Sequence, residues 1–564
     1  MIDARSGGGR GATQTRREFF RRTGRWSAGA ALGSHLVGCA SVGGSVDDPE
    51  VFDVVVIGGA PGGIAAAVTA ARLGHSVVLV EYHPQVGGMS TSGLGKSDIE
   101  NRAMIQGFFT EFIGRVRAHY AETYGEDSDD YRLCRDGYYF EPSVAQAVFD
   151  DLLAAEPSIR LLKFHRMESV LTREQRVVGV IVRDRAGGDV RTLTGKTVID
   201  ATYEGDVVAG AGARFRLGRE PRDEFGEPHA GVVYFDYQEQ RFLPETTGEG
   251  DGRLPAYTYR LCLATDPRNS VPITVPPPGY DRREYMLYFD DLRSGRMSAP
   301  KALKPGRGYN VAHFDTMVRA LSVTPLPNAK TDVNMNPRPL AFPFVEENEG
   351  YVEGSWASRE QICTRLRNLT LGLLWFIQND SEVDPAHREL GKKYQLPRDE
   401  FVDNGHFPYQ LYVREARRLV GEYTLTEHDV TRNPDRPEAG KFADGIAVGE
   451  FPIDSFPTRK RQLGDTIVLE GYLGMLDYIT VPYQIPYRIM IPQTVDGLIV
   501  PVAASTTHVA YSSIRMEPTW MAMGQAAGVA AHVSLTQGVR LRDVPMIRVQ
   551  CLLREQGQVL DLPT

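Results

Sequence analysis

The sequence is poor in cysteine, and the few cysteines it has are widely spaced. Five occur among 564 residues, and no two of them form a Cys-x-x-Cys pair. That spacing excludes a dithiol redox centre, a zinc ribbon and an iron–sulfur motif, so we predict no metal site. Four cysteines lie well inside the chain and leave disulfide pairing open: Cys134, Cys262, Cys363 and Cys551.

The chain also lacks an excess of positive charge. It carries 63 Lys and Arg against 72 Asp and Glu, which gives a formal net charge of −9. This balance argues against a nucleic-acid partner and against direct binding to an anionic membrane. Seven of the arginines lie within the first 38 residues, so the rest of the chain is more acidic than the total suggests.

Long hydrophobic runs are missing as well, because the weakly apolar stretch 26–38 is too short to cross a ~30 Å bilayer. We interpret residues 1–50 as a leader and linker. Arg16-Arg17 belongs to a twin-arginine pattern, and the segment that ends at Cys39 resembles the lipobox of bacterial lipoproteins. These patterns predict export through the twin-arginine route and a periplasmic location, or a membrane anchor through a lipid on Cys39. The alternative is a disordered basic tail with a chance cysteine.

Glycine, by contrast, is abundant, and its 57 residues gather in short runs. One run lies between the apolar segment 52–57 and the Ala-rich segment 64–73, and a second apolar segment, 76–80, ends at an acid. The order strand, glycine turn, helix, strand and acid is the fingerprint of a dinucleotide-binding βαβ unit. It supplies these candidate cofactor-binding residues: Gly58, Gly59, Ala60, Pro61, Gly62, Gly63 and Glu81.

The main residues of this fingerprint each have a mechanical role. Gly58 permits a tight turn out of the strand, and Gly63 permits close packing of the helix against the sheet. The helix N-terminus offers unpaired N–H groups to a pyrophosphate, and Glu81 accepts hydrogen bonds from the adenosine ribose. Ala60 stands where the pattern has its middle glycine, and we expect cofactor binding to survive this small methyl group.

The segments downstream favour FAD over a nicotinamide cofactor. Segment 87–95 is a second stretch of small residues, which suits contact with a flat ring system. Segment 197–206 is predicted to return to the cofactor as a strand, and the small-residue helix that begins near 517 is predicted to meet the flavin. No second complete fingerprint indicates a separate NAD(P) domain. These segments add five candidate cofactor-binding residues: Gly88, Met89, Ser90, Asp206 and Arg515.

Together these motifs resemble a broad bacterial family of FAD-dependent oxidoreductases over nearly all of the chain after the leader. Further landmarks of the resemblance are segments 140–142, 404–427 and 508–528. The resemblance implies an α/β fold, with a Rossmann-like FAD-binding domain of the glutathione-reductase type and an inserted α+β substrate or cap domain. It also implies FAD as the cofactor, while the substrate stays open.

The expected domain organisation is discontinuous. After the leader and linker at 1–50, residues 51–215 supply the first part of the FAD-binding domain and residues 465–564 close it. The insertion at 216–464 is predicted to be the substrate or cap domain, since it is rich in aromatic residues and proline.

A flavin performs its own hydride chemistry, so the protein has to supply orientation, a base and charge stabilisation. Histidine suits a base that works near neutral pH. The candidates are His508, before the small-residue helix, and His406, in the segment 403–409. Arg414 is the candidate for binding a substrate carboxylate or hydroxyl groups. The structural alternatives are that the two histidines are hydrogen-bonded to backbone groups and that Arg414 belongs to a solvated run of charges.

The sequence thus predicts an FAD-dependent oxidoreductase that takes hydride from a small polar substrate of the CH–OH or CH–NH type. Its electrons would pass to a quinone, a cytochrome or oxygen. The alternatives within flavin chemistry are a monooxygenase and a reductase of activated C=C bonds like fumarate reductase. An alternative of another class is a non-catalytic lipoprotein that relays electrons through a bound flavin.

Overall fold

The computed structural model describes residues 48–300, 310–436, 438–461 and 467–563. The leader predictions, including the acylation of Cys39, therefore fall almost wholly outside the described residues. Within the described ranges, no helix is long and apolar enough to cross a membrane. The four cysteines considered above are all free thiols, and Cys134 and Cys262 are buried.

A seven-stranded sheet forms the centre of the fold. Its strands are β1 (Glu50–Ile57), β2 (Val77–Val80), β3 (Ile159–Leu162), β4 (His165–Arg173), β5 (Arg176–Asp184), β6 (Val190–Asp200) and β20 (Leu498–Ile499). They run in the order β3-β2-β1-β6-β5-β4, and β20 pairs with β6. The pairs around β1 are parallel, whereas β4, β5 and β6 pair antiparallel. Because parallel strands are covered on both faces, the second half of β1 (residues 54–57) and all of β2 are continuous, buried apolar runs.

Helices cover this sheet and fill the rest of the molecule. Within the described residues they are α1 (Pro61–Arg72), α2 (Phe108–Tyr124), α3 (Asp129–Leu133), α4 (Pro142–Ala154), α5 (Asp206–Gly210), α6 (Arg222–Phe225), α7 (Leu287–Arg293), α8 (Trp356–Asn379), α9 (Pro385–Gly391), α10 (Glu427–Val430), α11 (His508–Ile514), α12 (Glu517–Gln537) and α13 (Met546–Glu555). The central pair is α1 and α12. A side chain at Gly524 would overlap the carbonyl of Gly62, so glycine lets the two helices approach closely.

A second, three-stranded antiparallel sheet lies in the inserted region. It consists of β10 (Leu261–Ala264), β12 (Leu321–Leu326) and β13 (Lys330–Met335), in the order β10-β13-β12. Residues alternate along β12 and β13, so Leu321, Val323 and Val333 are buried in the core. The polar residues between them lie on the opposite face, where Ser322 pairs with Asn334 and Thr324 pairs with Asp332 across the strands.

The remaining strands form short two-stranded pairs. They are β7 (Phe215–Arg216) with β15 (Arg418–Leu419), β8 (Phe235–Asp236) with β9 (Arg241–Phe242), β11 (Ser270–Val271) with β14 (Leu396–Pro397), β16 (Gly445–Gly449) with β19 (Tyr483–Pro486), and β17 (Asp454–Ser455) with β18 (Gly474–Met475). The β16–β19 and β17–β18 pairs join segments on either side of residue 464, where the sequence predicts a domain boundary. The predicted insertion is therefore hydrogen-bonded to the C-terminal segment through these two strand pairs.

A buried ion cluster ties the second sheet to the first part of the nucleotide-binding region. Lys330 on β13 donates from Nζ to Glu141 Oε1 and to Glu400 Oε1, both at 2.7 Å. Asp399 Oδ2 lies 2.9 Å from the same ammonium group. Glu141 immediately precedes α4, so the cluster fixes this helix against the insertion.

Candidate active site

The turn between β1 and α1 has the geometry of a phosphate-binding turn. Gly58 adopts a φ of +99°, and a side chain there would overlap the carbonyl group of Ala201 at the end of β6. A side chain at Gly63 would overlap the Gly58 carbonyl oxygen. Ala60 is the N-cap of α1 and provides no side-chain cap, and Pro61 begins the helix. The first N–H groups of α1 are therefore left for a ligand, as an anion site at a helix N-terminus requires.

Glu81 lies at the end of β2, directly beside this turn. Its Oε2 accepts a hydrogen bond from the Gly59 N–H at 2.6 Å, and its Oε1 accepts one from the His83 N–H at 2.7 Å. Burial raises the pKa of this carboxyl group to about 7, although both hydrogen bonds favour the ionised form. Each oxygen keeps a second lone pair, so Glu81 is able to accept hydrogen bonds from a ribose.

A first cavity opens beside the turn and encloses about 840 Å³, counting space open to solvent. Gly58, Ala60, Glu81, Gly88 and Asp206 of the predicted cofactor-binding set line it. The methyl group of Ala60 thus belongs to the cavity wall. The opposite wall comes from α8 of the insertion, through Trp356, Arg359, Glu360 and Cys363.

Aromatic and cationic side chains close one end of the first cavity. The ring of Tyr82 stacks on Trp356, with 4.7 Å between the ring centroids. The guanidinium of Arg185 lies 3.8 Å from the centroid of the same Tyr82 ring. These contacts join the end of β2 to α8 and hold the wall of the cavity in place.

Asp206, at the first position of α5, is held by two arginines. It accepts hydrogen bonds from both Nη atoms of Arg359, at 2.6 and 2.7 Å, and from Arg417 Nη1 at 2.9 Å. This fork-shaped pairing fixes α8 against α5. A role for Asp206 in cofactor binding stays a prediction, and its carboxylate already has strong partners within the protein.

A hydrogen-bonded chain crosses from the glycine segment to the start of α12. The Met89 N–H donates to the Tyr203 hydroxyl at 3.1 Å, and this hydroxyl donates to Glu517 Oε1 at 2.6 Å. Glu517 is 5% exposed, and its Oε2 has no hydrogen-bond partner among the described residues. Burial raises the pKa of Glu517 to about 8. Burial therefore favours the protonated form of this acid.

A second cavity, of about 990 Å³ with its open space, lies on the other side of this chain. The polar face of the second sheet lines it, through Ser322, Thr324, Asp332 and Asn334. Arg515 and Met516 line it at the start of α12, next to Glu517. Tyr203 lines the first cavity, and its partner Glu517 directly follows Met516 of the second cavity's wall, so the Tyr203–Glu517 hydrogen bond lies between the two cavities.

Charged groups dominate the remaining wall of the second cavity. Arg260 donates from Nε to both oxygens of Asp332, at 2.9 and 3.1 Å, and from Nη1 to Asp98 at 3.1 Å. Asp454 on β17 also lines the cavity, and burial raises the pKa of its carboxyl group despite the attraction of Arg515. The second cavity is therefore a polar chamber suited to a small hydrophilic molecule.

The structure gives the two predicted catalytic histidines partners within the protein. His508 begins α11, is 3% exposed, and its Nδ1 lies 2.7 Å from Glu415 Oε2. His406 lies in a turn with a φ of +61°, and its Nδ1 is 3.3 Å from the carbonyl oxygen of Glu400. Neither histidine lines either cavity. Their catalytic roles stay predictions, without support from the cavity walls.

Arg414 lies directly behind the second cavity. It is 1% exposed, and its guanidinium packs 4.3 Å from the ring centroid of Tyr412 and 3.6 Å from that of Phe456. Tyr412 and Phe456 both line the cavity. Burial lowers the pKa of Arg414 to about 9. Of the three residues predicted to act in catalysis, only Arg414 packs against residues that line this chamber.

Several residues of both walls were missed by the sequence reasoning. For Arg359 and Trp356 on α8 no local signal exists, because they are distant in sequence from the fingerprint. For Ser322, Thr324, Asp332 and Asn334 a signal was present. In segments 321–326 and 330–335 polar residues alternate with apolar ones, a pattern typical of a sheet with one buried and one solvent-exposed face.

The site described so far defines a nucleotide-binding protein of the Rossmann type with a polar chamber beside its dinucleotide cavity. The model of the family described as FAD dependent oxidoreductase matches residues 53–553. The chain belongs to this family of FAD-dependent oxidoreductases, and its cofactor is FAD. The predicted α/β Rossmann-like fold and the predicted cofactor are confirmed.

Individual relatives are distant. The thiamine thiazole synthase of Desulfosudis oleivorans is 30% identical over 156 residues, which is 27% of this chain and 55% of that protein. The match thus spans about half the length of this curated relative. A geranylgeranyl bacteriochlorophyll reductase-like protein from Thermoplasma acidophilum is 13% identical, with a TM-score of 0.38 over 90% of this chain and 84% of that chain.

A third comparison is with the glycerol-3-phosphate dehydrogenase from Bacillus halodurans complexed with FAD. It is 17% identical over 36% of this chain and 45% of that chain, with a TM-score of 0.22. At this distance the likeness assigns neither a substrate nor a reaction.

The residues present fit FAD. The acid beside the glycine turn, the uncapped start of α1 and the buried, unpartnered atoms near α12 are the groups that a dinucleotide needs. Glu81 would hold the ribose and the N-terminus of α1 would hold the pyrophosphate. Gly88, Met89, Ser90 and the start of α12 would hold the ring system, with Glu517 Oε2 and Trp520 Nε1 left free for it.

Proposed function

We propose that this enzyme oxidises a small polar substrate of the CH–OH or CH–NH type, bound in the second cavity, by hydride transfer to FAD. The observation that carries the proposal is the short separation of the two cavities: Tyr203 in the wall of the first donates to Glu517, the residue that follows Met516 in the wall of the second. It puts the polar chamber next to the part of the site where Gly88 and α12 would hold the ring system. FAD, when bound, supplies the hydride acceptor.

The wall of the chamber offers a base for this reaction. As the substrate loses its hydride, its hydroxyl or amine proton has to leave, so that a C=O or C=N bond forms. Asp454 lines the chamber, and burial raises the pKa of its carboxyl group above the usual range. A raised pKa makes a carboxylate a stronger base, and we propose Asp454 as the proton acceptor.

The polar face of the second sheet would orient the substrate. Hydroxyl, amide and carboxylate side chains of Ser322, Thr324, Asn334 and Asp332 offer both donors and acceptors within one wall. Such a surface suits a hydrophilic molecule and does not suit a hydrocarbon. Electrons would then leave the reduced enzyme to a quinone, a cytochrome or oxygen.

The test is an anaerobic spectrum of the purified FAD-loaded protein, with a screen of sugars, hydroxy acids and amines for bleaching of the flavin. We expect one class of donor to bleach it. The variant Asp454→Asn should bind FAD as before and be reduced about 100-fold or more slowly, the usual loss for a general base. Asp435→Asn, the same change at an exposed position, is the matched control. Bound flavin that no donor bleaches would refute the proposal.

We further propose that the chain is exported through the twin-arginine route and anchored by a lipid on Cys39. The support is the order and spacing of Arg16-Arg17, the short apolar stretch and the lipobox-like segment. Mass spectrometry of the mature protein from a bacterial host is the test. A lipid-modified N-terminal Cys39 is expected, and Arg16→Lys with Arg17→Lys should retain the precursor in the cytoplasm. An unprocessed N-terminus in the wild type would refute this.

A further inference from the structure

The second cavity contains an imbalance of buried charge. Seven arginines of the described chain are no more than 7% exposed. Five of them have a carboxylate oxygen within 4.0 Å: Arg219, Arg260, Arg359, Arg417 and Arg418. Within the described residues, Arg414 and Arg515 have none, and both belong to the second cavity or its rear wall.

The partners of these two arginines are neutral. Arg515 donates to the Tyr412 hydroxyl at 2.9 Å and to the backbone carbonyl of Asp454 at 2.7 Å. Arg414 donates to the Ala256 carbonyl at 2.6 Å and to the Thr258 hydroxyl at 2.9 Å, and its Nε is buried without a partner. A guanidinium taken out of water needs an anion as well as hydrogen bonds, since neutral acceptors replace only part of its hydration.

The two guanidinium groups lie on either side of one residue of the chamber wall, Tyr412. The Tyr412 ring lies between them, 4.3 Å from the guanidinium carbon of Arg414 and 5.7 Å from that of Arg515. Tyr412 and Arg515 line the chamber, and Lys96 also lines it. The acids Asp98 and Asp332 are already engaged by Arg260. Asp454 also lines the chamber and attracts both guanidinium groups, but its carboxylate forms no ion pair with either within the described residues, so it offsets their charge only in part.

We propose that the second cavity binds the carboxylate of a small organic acid, with Arg515 as the contact residue and Arg414 as a buried source of positive charge behind Tyr412. The substrate class is thus a hydroxy acid or an amino acid, whose CH–OH or CH–NH group is the hydride donor. The substrate class rests on the proposed function, whereas the carboxylate site itself does not. Burial lowers the pKa of Arg414 to about 9, and the like charges of Arg515 and Arg260 act in the same direction.

The experiment uses the full-length, FAD-loaded protein and two probes of the same skeleton, malonate and its neutral diamide malonamide. Binding is followed by the change in the visible spectrum of the flavin at constant ionic strength. We expect malonate to bind at least tenfold more tightly than malonamide. Arg515→Gln and Arg414→Gln should each weaken malonate binding at least tenfold, while Arg515→Lys keeps part of the affinity.

Arg488→Gln is the matched control. Arg488 also lies close to a tyrosine, 5.3 Å from the ring centroid of Tyr423, but it pairs with Asp444 and does not line the chamber. Its substitution should leave the affinity for malonate unchanged. If Arg515→Gln fails to load FAD, the comparison of malonate with malonamide on the wild type and the Arg414→Gln variant still decides the question.

Equal binding of malonate and malonamide would overturn the proposal. A second overturning result is a shift in the flavin midpoint potential in Arg414→Gln and Arg515→Gln with unchanged affinity for malonate. The two positive charges would then stabilise the reduced, anionic flavin and would not bind a substrate carboxylate. Bleaching by neutral alcohols or amines, with no preference for their acids, would refute the substrate class and leave the proposed function standing. Tight malonate binding without any bleaching donor would refute the proposed function alone.

Discussion

Replacing Glu517 with glutamine should make the apoprotein more stable at pH 8 and leave its stability nearly unchanged at pH 4.5. Glu517 is 5% exposed, its Oε2 has no hydrogen-bond partner among the described residues, and burial raises its pKa from 4.5 to about 8. Glutamine has the same shape, and its amide oxygen still accepts the hydrogen bond that the Tyr203 hydroxyl donates at 2.6 Å. The substitution therefore removes only the ability to ionise.

The sign and size follow from proton linkage. The folded pKa is raised, so the contribution of Glu517 to stability is fully present below pH 4.5 and is lost as pH rises to about 8. One pKa unit corresponds to about 1.4 kcal/mol, so the free energy of unfolding of the wild type should fall by about that amount per pH unit relative to Glu517→Gln. Over the full interval the difference reaches about 5 kcal/mol.

The assay is urea unfolding of the apoproteins between pH 4.5 and 8.5, followed by tryptophan fluorescence. Glu555→Gln, the same change at an exposed position on α13, is the control and should follow the wild type. Tyr203→Phe removes the hydrogen bond that favours the ionised form, so the loss of stability should still begin near pH 4.5 but continue to higher pH and become larger. Parallel pH profiles of the wild type and Glu517→Gln would refute the reasoning, because Glu517 would then ionise as readily in the fold as outside it.

Three further predictions concern the cofactor turn and the ion cluster. Glu81→Gln turns one carboxylate oxygen into an amide donor, which can no longer accept a hydrogen bond from a ribose hydroxyl. A lost buried hydrogen bond costs about 1–3 kcal/mol, so FAD affinity should fall about 5- to 100-fold in a fluorescence titration. Unchanged affinity would argue against ribose binding there. Gly63→Ala brings a methyl group against the Gly58 carbonyl and should abolish FAD binding. The control is Gly74→Ala, at a glycine where a Cβ would meet open space. This control protein should bind FAD normally, although its positive φ lowers the stability slightly. Lys330→Met leaves Glu141 and Glu400 buried without their cation, so it should destabilise the protein by about 3–5 kcal/mol at pH 7. Lower pH should restore part of this stability, because an unpaired buried carboxylate takes up a proton. An equal loss of stability at pH 5 and pH 8 would contradict the electrostatic explanation.

The nucleotide-binding half of the site was within reach of the sequence. The glycine turn, the two flanking apolar strands and Glu81 lie within about 30 residues, and their order alone predicts how they fold. The same holds for α12, whose proline near the first turn and small residues predict a closely packed helix. Such local signals predict the structure correctly because each element depends mostly on residues close to it in the chain.

The chemistry of the second cavity was not within reach. Its wall combines residues near positions 96, 260, 332, 412, 454 and 515, and nothing in the spacing of these positions indicates that they meet. The histidines chosen from the sequence, His406 and His508, suit the chemistry by residue type, yet neither lines a cavity wall. Asp454, the acid of the chamber wall that we propose as the base, has no sequence signal that distinguishes it from other aspartates.

The sequence by itself thus determined the βαβ unit, the cofactor class and the closely packed helix α12, because short-range order specifies those elements. The tertiary structure alone decided which polar residues enclose the second cavity and which buried arginines are left without a carboxylate. The physical reason is that the charge balance of a cavity is set by groups brought together from the whole chain. Arg414 and Arg418 are four residues apart, yet only one of them folds against carboxylates.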